Sequence, residues 1–486
     1  MRGWSVRLGI AGAALLLVAC GSGAIRSVPV PAPEVVSGEI LVRYRSDSAL
    51  VALAAVRGAT VVRTGRFRLP TGTEHIAVIR VPPGEEATYI DRFRRNPEVV
   101  YAGYNYRVRR VDGRTESFPP RGPRVPGSGV LDWTGLADPK LVECDPAFEV
   151  QRLNGERTRC TEADRSASWQ WNLWRIQAPQ AWRLADGEGV VVAVVDEGVD
   201  LTHPEFAARV VLPREGCPTD VVDEDFDPGD SGGHGTHVAG IVAAAPDGRG
   251  IVGVAPRARI LPIRALGPLG GTTFTVVSGI LCAVEHGAAV LNGSWGGVAY
   301  SEAELDALRA AVASGVFVVL AAGNLHDAGN PRVYPAAFAE VVPGVVAVGA
   351  TTPTDRIASF SSSGRWVTLA APGTTIYSTL PTVQGSYGFL QGTSMAAPHV
   401  AGVAALLLSR NPRLPPARVQ SLLQAAAFAP CPEYPRPDWD RPGSCGGFVM
   451  GPGAYGYGLV DAWATLSTAP RGISFRSGRA PEYSTP

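Results

Sequence analysis

The chain has 486 residues, 45% of them hydrophobic and 18% charged, a composition typical of a globular protein with a large core and not of a disordered chain. The formal net charge is zero, so the charge balance excludes an electrostatic case for nucleic acid or an acidic membrane as the main partner. This length accommodates a catalytic domain of several hundred residues and a smaller second domain.

The first 20 residues predict an export signal. Two arginines precede an apolar run from Leu8 to Ala19, which is short for a bilayer span and ends in small residues. The ending Leu17–Cys20 resembles the lipobox of bacterial lipoproteins, which implies lipidation of Cys20; a plain signal peptide with an incidental cysteine is the alternative. We expect an exported protein, either a cell-envelope lipoprotein or a secreted one, in which residues 21–37 form a tether.

Residues 38–110 predict a small α+β domain. The segments "EILVRYR" and "HIAVIRVP" alternate apolar and polar residues as half-buried strands do, "EEATYIDRFRRNP" has helical spacing, and "EVVYAGYNYRV" is a further strand. A stretch rich in proline and glycine, "FPPRGPRVPGSG", follows and indicates a linker. We interpret residues 111–167 as a linker or as an N-terminal extension of the next domain.

Strands and helices alternate in the predicted domain of residues 168–468, before a tail at residues 469–486. Continuous apolar runs such as "GVVVAVVD", "AAVLNGSWG" and "GVFVVLAAGN" are separated by helix-like segments, a pattern that predicts an α/β fold with a mostly parallel sheet between helices. Ligands of such sheets bind outside the carboxyl ends of the strands. The polar residues that end or follow these runs, Asp196, Ser294 and Asn324, are therefore candidates for a site.

Six cysteines besides Cys20 suit an oxidising compartment. Local pairs 144–160 and 431–445 would each close a short loop, although the sequence does not establish the connectivity. Cys217 and Cys282 remain, and Cys282 lies in an apolar segment that could bury a free thiol. The cysteines and histidines do not cluster at zinc-ligand spacing, so a structural zinc is not expected.

The stretch "DSGGHGTHVAG" at positions 230–240 allows three interpretations. His234 and His237, three residues apart, could bind one metal ion with Asp230 as a third ligand, which would suit a metallohydrolase. One histidine could instead be a catalytic base, or both could be structural parts of a glycine-rich turn. The apolar pattern that follows predicts a helix starting near His237.

Ser394 and Asn324 also have two interpretations each. Ser394 lies in "GTSMAAPHVAGVAALLLSRNP", where Gly392 permits a tight turn and Pro398 is expected in the first turn of a closely packed helix. A serine there is either a helix cap or a nucleophile at the positive end of the helix dipole. Asn324 either favours a turn or donates a hydrogen bond to a developing oxyanion.

The combination of these segments resembles one family. The words "VVDEGVDLTHPEF", "GHGTHVAG", "NGSWGG", "AAGN" and "GTSMAAPHVAG", in this order over roughly residues 168–468, resemble the signature segments of subtilisin-like serine proteases, the subtilases. "GYGLVDAWATL" resembles the C-terminal segment of that family. The order Asp, His, Ser along the chain is also the order of subtilisin. The resemblance implies a subtilisin-like three-layer fold and a serine endopeptidase.

The resemblance assigns a role to each matching residue. Asp196, His237 and Ser394 would be the catalytic triad, with Asn324 and the Ser394 N–H holding the oxyanion. Edge segments would bind an extended peptide as an added strand; they are Ser294, Trp295, Gly296, Gly270 and Gly271. His234, His203 and His399 match no triad position in this assignment and are interpreted as structural. Glu197 stands where the family often has threonine or serine, and we expect it to affect pH dependence or to favour basic residues near the cleavage site.

The resemblance also implies the partners. Residues 38–110 resemble the family's N-terminal propeptide, which inhibits the enzyme until it is removed; an unrelated binding domain is the alternative. We expect protein or peptide substrates, a monomer, and contact with the membrane only through a lipid anchor. No cofactor is required, and calcium is a possible structural ion with Glu205 and Asp247 as weak candidates. A catalytically inactive homologue that only binds peptides is the alternative to a protease.

Overall fold

The computed structural model describes residues 32–110, 149–151, 157–159, 170–230, 232–247, 250–428 and 453–469. They form an N-terminal unit over residues 32–110 and a C-terminal unit that begins at residue 170, and the two units pack against each other. The predicted signal with Cys20 lies outside the described residues. Within the described part of the chain, every helix is too short or too polar to cross a bilayer.

The N-terminal unit is an antiparallel sheet with two helices. Its elements are β1 (Val35–Tyr44), α1 (Asp47–Ala54), β2 (Thr60–Leu69), β3 (Gly72–Arg80), α2 (Glu86–Arg94) and β4 (Val99–Arg110). The sheet order is β4-β1-β3-β2. The strands predicted at β1, β3 and β4 and the helix predicted at α2 are confirmed, whereas β2 and α1 are additional elements.

The central strand β1 is buried on both faces, not half-buried as its pattern predicted. Ile40 and Val42 pack towards the two helices of the unit, and the intervening Leu41 packs against the C-terminal unit; all three are fully buried. Successive strand residues point to opposite faces. The C-terminal unit therefore covers the face of the sheet opposite the two helices.

The C-terminal unit is built on a parallel sheet. Its strands are β7 (Val191–Asp196), β8 (Arg259–Arg264), β10 (Val290–Gly293), β12 (Phe317–Ala321), β13 (Val345–Thr351) and β14 (Val367–Pro372). The order is β14-β13-β12-β10-β7-β8, and each neighbouring pair is parallel. All but β14 follow the predicted apolar runs, which are continuous because helices cover both faces of the sheet.

Eight helices of the described C-terminal unit surround this sheet. They are α3 (Trp171–Arg175), α4 (Ala178–Ala181), α5 (His234–Ala243), α6 (Thr273–Glu285), α7 (Glu302–Ala313), α8 (Thr393–Arg410), α9 (Pro416–Ala426) and α10 (Ala462–Thr468). Helices α5, α8, α9 and α10 share one hydrophobic core, and α6 and α7 share the other. Short 3-10 helices lie at Pro204–Phe206, Ala336–Glu340 and Thr382–Gln384.

Short strands lie outside the parallel sheet. They are β9 (Gly271–Thr272), β11 (Trp295–Gly296), and the antiparallel hairpin of β15 (Ile376–Thr379) and β16 (Tyr387–Leu390). Another small hairpin, β5 (Glu149–Gln151) with β6 (Arg157–Arg159), falls within the predicted linker.

The sheet of the N-terminal unit lies on α6 and α7. Leu41, Ile76 and Val78 belong to the same buried cluster as Leu281 of α6 and Ala307 of α7. Polar contacts add to this apolar interface. The buried Asn105 accepts a hydrogen bond at 3.1 Å from the N–H of Phe274 in the first turn of α6, and Arg43 Nη1 donates to Asp306 Oδ2 at 2.8 Å. Asn105 thus supplies a partner for one of the helix N–H groups that have none within the helix.

Cys217 and Cys282 lie side by side. Their Cα atoms are 5.4 Å apart, although the residues are 65 positions apart in sequence. This separation is in the range of about 4.4–6.8 Å found in disulfides, and the contact favours a disulfide over a free thiol at Cys282. The pairs 144–160 and 431–445 lie outside the described residues and stay predictions.

Candidate active site

Three predicted polar residues lie at one edge of the parallel sheet. Asp196 is the last residue of β7, Ser294 directly follows β10, and Asn324 comes three residues after β12. These three strands are neighbours in the sheet. Because parallel strands end at the same edge, the fold brings the three side chains to one side of the sheet, as predicted.

Asp196 is a fully buried carboxylate bound to His234. Its Oδ1 accepts a hydrogen bond from the Glu197 N–H at 2.8 Å and lies 2.7 Å from His234 Nδ1. A buried carboxylate is costly without such partners. The contact assigns the proton of a neutral His234 ring to Nδ1 and so makes Nε2 its basic nitrogen.

The prediction that His237 is the partner of Asp196 is wrong. His234 is the first residue of α5, whereas His237 points into the fully buried region between α5 and the β15–β16 hairpin. There its Nε2 lies 3.1 Å from the Ile376 carbonyl oxygen and 3.2 Å from that of Gly388. Burial lowers the pKa of His237 to about 3, so the ring is neutral. His234, which the sequence analysis interprets as structural, is the histidine that contacts Asp196.

Asp230 shapes the turn that places His234. Its Oδ1 accepts the N–H groups of Gly232 at 2.8 Å and Gly233 at 2.7 Å, and its Oδ2 accepts the Thr236 N–H at 2.9 Å and the Thr236 hydroxyl. An acidic side chain at a helix N-terminus is stabilised by those N–H groups and by the helix dipole. Across the residues that the structure describes, Asp230, His234 and His237 do not come together as a group of metal ligands.

Ser394 is the second residue of α8 and is tied to Ser294. The helix begins at Thr393, so Pro398 lies in its second turn. The prediction that Pro398 lies in the first turn is wrong. Proline has no N–H to donate to the carbonyl of Ser394 four residues earlier. Ser294 Oγ donates to that carbonyl instead, at 3.0 Å, and Ser394 Oγ donates to the Ser294 carbonyl at 3.2 Å.

Asn324 is anchored to the residue that precedes Ser394. Its Oδ1 accepts hydrogen bonds from the N–H of Thr393 at 3.0 Å and from Thr393 Oγ1 at 2.9 Å. Since Oδ1 is held there, the amide nitrogen Nδ2 points away from Thr393. Asn324 and Ser394 are thus positioned by the same helix start.

The predicted peptide-binding edges flank a strand of this chain. The end of β4 lies between β9 and β11: Val108 pairs with Gly271, Arg109 with Gly296 and Arg110 with Trp295, all antiparallel. A Cβ on Gly270 would collide with the carbonyl oxygen of Val108, so glycine there allows the close approach.

Trp295 contributes only its backbone to this edge. Its ring is fully buried in the core beneath the strand, and its Nε1 donates to the Val195 carbonyl at 2.9 Å. The ring therefore packs in the core and does not contribute to the surface that pairs with the β4 strand.

Glu197 forms an ion pair that the sequence did not predict. Its side chain is only 3% exposed, and Arg110 Nη1 lies 3.1 Å from each of its carboxylate oxygens. Burial and the neighbouring Asp196 raise the pKa of Glu197, whereas His234 and Arg110 act in the opposite direction. Arg110 is the last residue of β4, so the N-terminal unit supplies the cation.

The structural interpretation of His203 and His399 is confirmed. His203 Nε2 lies 2.9 Å from the Ser386 carbonyl oxygen, and His399 Nδ1 lies 2.8 Å from that of Met395. Burial lowers the pKa of His399 to about 4 and also lowers that of His203. The neutral ring of His203 thus joins two backbone segments, whereas His399 contacts its own helix and, through Nε2 at 2.7 Å, Asn172 Nδ2 of α3.

Comparison with known families assigns this chain to a family. The family model described as "Subtilase family" matches residues 187–458, more than half of the chain. The chain belongs to the subtilase family. A second model, described as "Fervidolysin N-terminal prodomain", matches residues 24–105 of this subtilase. The N-terminal unit is therefore a prodomain of the fervidolysin type.

Two curated relatives illustrate the similarity of this subtilase. Fervidolysin from Fervidobacterium pennivorans is 36% identical over 361 residues, which cover 68% of this chain and 48% of fervidolysin. Thermitase from Thermoactinomyces vulgaris is 45% identical over 248 residues, which cover 50% of this chain and 84% of thermitase. The chain thus spans about half the length of fervidolysin.

A solved structure supports the fold of this subtilase along most of its length. The crystal structure of fervidolysin, described as a keratinolytic enzyme related to subtilisin, has a TM-score of 0.66 and 29% identity. The match covers 92% of this chain and 65% of the fervidolysin chain. The prediction of a subtilisin-like α/β fold preceded by a small α+β domain is confirmed.

Both calcium candidates of this subtilase, Glu205 and Asp247, lie among the described residues. Glu205 Oε1 accepts hydrogen bonds from the Ile251 N–H at 3.1 Å and the Tyr387 hydroxyl at 2.8 Å, and burial raises the pKa of Glu205 to about 7. Over the described ranges, no three histidine, cysteine, aspartate or glutamate side chains come together as metal ligands.

Proposed function

We propose that this subtilase is a serine endopeptidase that cleaves proteins or peptides with the triad Asp196, His234 and Ser394. The observation that carries the proposal is the 2.7 Å contact between His234 Nδ1 and the fully buried Asp196, at the sheet edge where α8 presents Ser394. This arrangement replaces the triad with His237 that the sequence predicted.

Each member of the triad has a distinct role in the proposed reaction. Ser394 Oγ attacks the peptide carbonyl carbon while His234 Nε2 takes the serine proton. The imidazolium then protonates the leaving amine, and an acyl-enzyme on Ser394 remains. In the second half water attacks the acyl carbon with His234 again as the base, the bond to Ser394 Oγ breaks, and His234 returns the proton to that oxygen as the carboxylic acid product leaves. Asp196 stays ionised, fixes the tautomer of His234 and stabilises the imidazolium.

The oxyanion would be stabilised by Asn324 Nδ2 and the Ser394 N–H, at the positive end of α8. We expect Asn324→Ala to lower kcat about 10²–10³-fold with little change in KM, because the hydrogen bond is made chiefly in the transition state. Steady-state kinetics on a peptide substrate measure the effect. Asn330→Ala, in the nearby loop, is the control for loss of an asparagine. An Asn324→Ala enzyme with a wild-type kcat contradicts this role.

We further propose that the prodomain inhibits the enzyme until the chain cleaves itself. The end of β4 supports this proposal, because it occupies both backbone edges that a substrate strand would use. The mature enzyme would be exported as a monomer, either secreted or held at the envelope by a lipid on Cys20. A disulfide between Cys217 and Cys282 would suit that oxidising compartment.

Hydrolysis of casein by the mature protein tests the proposed function. A sulfonyl fluoride that sulfonylates activated serines is expected to abolish hydrolysis, and a chelator of transition metals is expected to leave it intact. Loss of activity with the chelator alone would contradict the serine mechanism. A folded mature protein that binds casein peptides without cleaving them would instead be the inactive homologue.

A further inference from the structure

The end of β4 is a strand already bound in the peptide-binding edges. Its backbone pairs with β9 on one side and with β11 on the other, in the antiparallel register that joins Arg110 to Trp295. A substrate in this register would place its next residue opposite Ser294. The carbonyl of Ser294 accepts the hydrogen bond of Ser394 Oγ, so that next residue meets the nucleophile. Arg110 thus lies where a substrate would place the second residue before its cleaved bond.

Glu197 is the carboxylate that faces this position. Both of its oxygens lie 3.1 Å from Arg110 Nη1, and its side chain is 3% exposed, whereas that of Arg110 is 38% exposed. The pair therefore has a fixed, desolvated carboxylate on the enzyme and a more accessible guanidinium on the strand. Hydrogen bonds between ionised partners are about twice as strong as neutral ones.

The surroundings of Glu197 make an incoming cation favourable. Besides burial, Asp196 and Asp230 raise the pKa of this glutamate by adding negative charge around it, whereas His234 and Arg110 act in the opposite direction. When the prodomain leaves, the cation of Arg110 leaves with it. The carboxylate of Glu197 then faces the vacated place beside Asp196 and Asp230, so a positively charged side chain from a substrate would be attracted there and form a charge-assisted hydrogen bond.

Gly232 creates the space for this carboxylate. A Cβ at Gly232 would collide with Glu197 Oε2, so any other residue there would displace the glutamate side chain. Gly232 is held in turn by its N–H bond to Asp230 at 2.8 Å. The loop before His234 is thus shaped to accept a glutamate at position 197.

Resting on the proposed peptidase function, we propose that Glu197 is a specificity-determining residue that selects arginine or lysine at the second residue before the cleaved bond. In the precursor, Arg110 occupies this subsite as the prodomain's own basic residue. Substrates with a basic residue there would repeat its ion pair, and substrates with an acidic residue there would be rejected.

Tetrapeptide substrates of the form succinyl-Ala-Ala-X-Phe-p-nitroanilide, with X arginine, lysine, alanine or glutamate, test this role. We expect the mature wild-type enzyme to favour arginine over alanine in kcat/KM, and Glu197→Gln to lower that ratio about 10- to 100-fold. The ratio is taken within each enzyme, so a change in absolute rate does not affect it. Glu197→Asp should keep part of the preference. Glu188→Gln, which removes a 74% exposed carboxylate, is the matched control and should keep it fully.

The outcomes separate the two proposals. Hydrolysis of the alanine substrate with the same arginine-to-alanine ratio in wild type and Glu197→Gln overturns the specificity role and leaves the peptidase function standing. Hydrolysis of no substrate by the wild type rejects both.

If Glu197 variants fail to mature, a double-mutant cycle in the precursor measures the coupling between Glu197 and Arg110. Glu197→Gln and Arg110→Gln are combined in full-length Ser394→Ala, and the unfolding temperature is measured. Non-additive shifts support the ion pair, and additive shifts overturn it.

Discussion

Replacing His234 with alanine is expected to lower kcat for peptide hydrolysis about 10⁶-fold, the magnitude that subtilisin itself shows for loss of its triad histidine. His234 is the ring bound to the buried Asp196, so its loss removes the base that takes the proton of Ser394. Casein hydrolysis and shortening of the purified precursor measure the effect. Circular dichroism and the unfolding temperature establish that the variant is folded.

His237→Ala is the matched control, because it removes the other histidine of the same helix. Its ring joins α5 to β15 and β16, so the variant should unfold at a lower temperature, since buried carbonyl groups lose their donor. Its folded fraction should keep kcat within about tenfold of the wild type, because the triad is intact. A His237→Ala protein that is folded and inactive, beside an active His234→Ala protein, would reverse the assignment.

Replacing Ser394 with alanine is expected to have an equally large effect, about 10⁶-fold in kcat. The nucleophile is lost, while the small side chain leaves α8 undisturbed. The variant should also remain a full-length precursor, because β4 stays in the peptide-binding edges and no acyl-enzyme forms with the prodomain. Incubation of the purified variant, followed by intact-mass measurement, tests this expectation.

Ser421→Ala provides the control for this experiment. Ser421 lies on α9 and bonds only within its own helix, to the Arg418 carbonyl and the Arg418 side chain. Its replacement should leave processing at the wild-type rate. Shortening of purified Ser394→Ala at that same rate, without another protease present, would refute self-processing through Ser394.

The positions at the strand ends could be predicted because sheet geometry alone brings them together. Continuous apolar runs indicated a parallel sheet, and Asp196, Ser294 and Asn324 end or closely follow three neighbouring strands. Strand β14 was missed, because "VTLAAP" runs into proline and glycine and gives a weak strand pattern. The pairing of Cys217 with Cys282 was also inaccessible, since 65 residues separate them and only the fold brings them together.

The choice between the two histidines depended on where α5 begins. The pattern predicted a helix start near His237, whereas the helix starts at His234 and turns His237 inward. Asp230 carried a usable signal: an acidic residue two positions before Gly232 and six before Thr236 can accept the N–H groups at a helix start. That capping pattern would have moved the predicted start to His234.

The pair of Arg110 and Glu197 shows a second limit of the sequence. Glu197 was recognised as an unusual carboxylate with a preference for basic residues, but its partner lies 87 positions earlier, at the end of a strand in another domain. Only the register of β4 against β11 places the two side chains together.

Active-site labelling is the most direct test of whether His234 activates Ser394. The mature enzyme is treated with a fluorophosphonate, digested, and mapped by mass spectrometry, in parallel with His234→Ala and His237→Ala proteins matured by added wild-type enzyme that is then removed. We expect one phosphonyl group on Ser394 in the wild type and in the His237→Ala protein, and none in the His234→Ala protein. Labelling of Ser394 that requires His237 and not His234, or labelling of a different serine, would contradict this expectation.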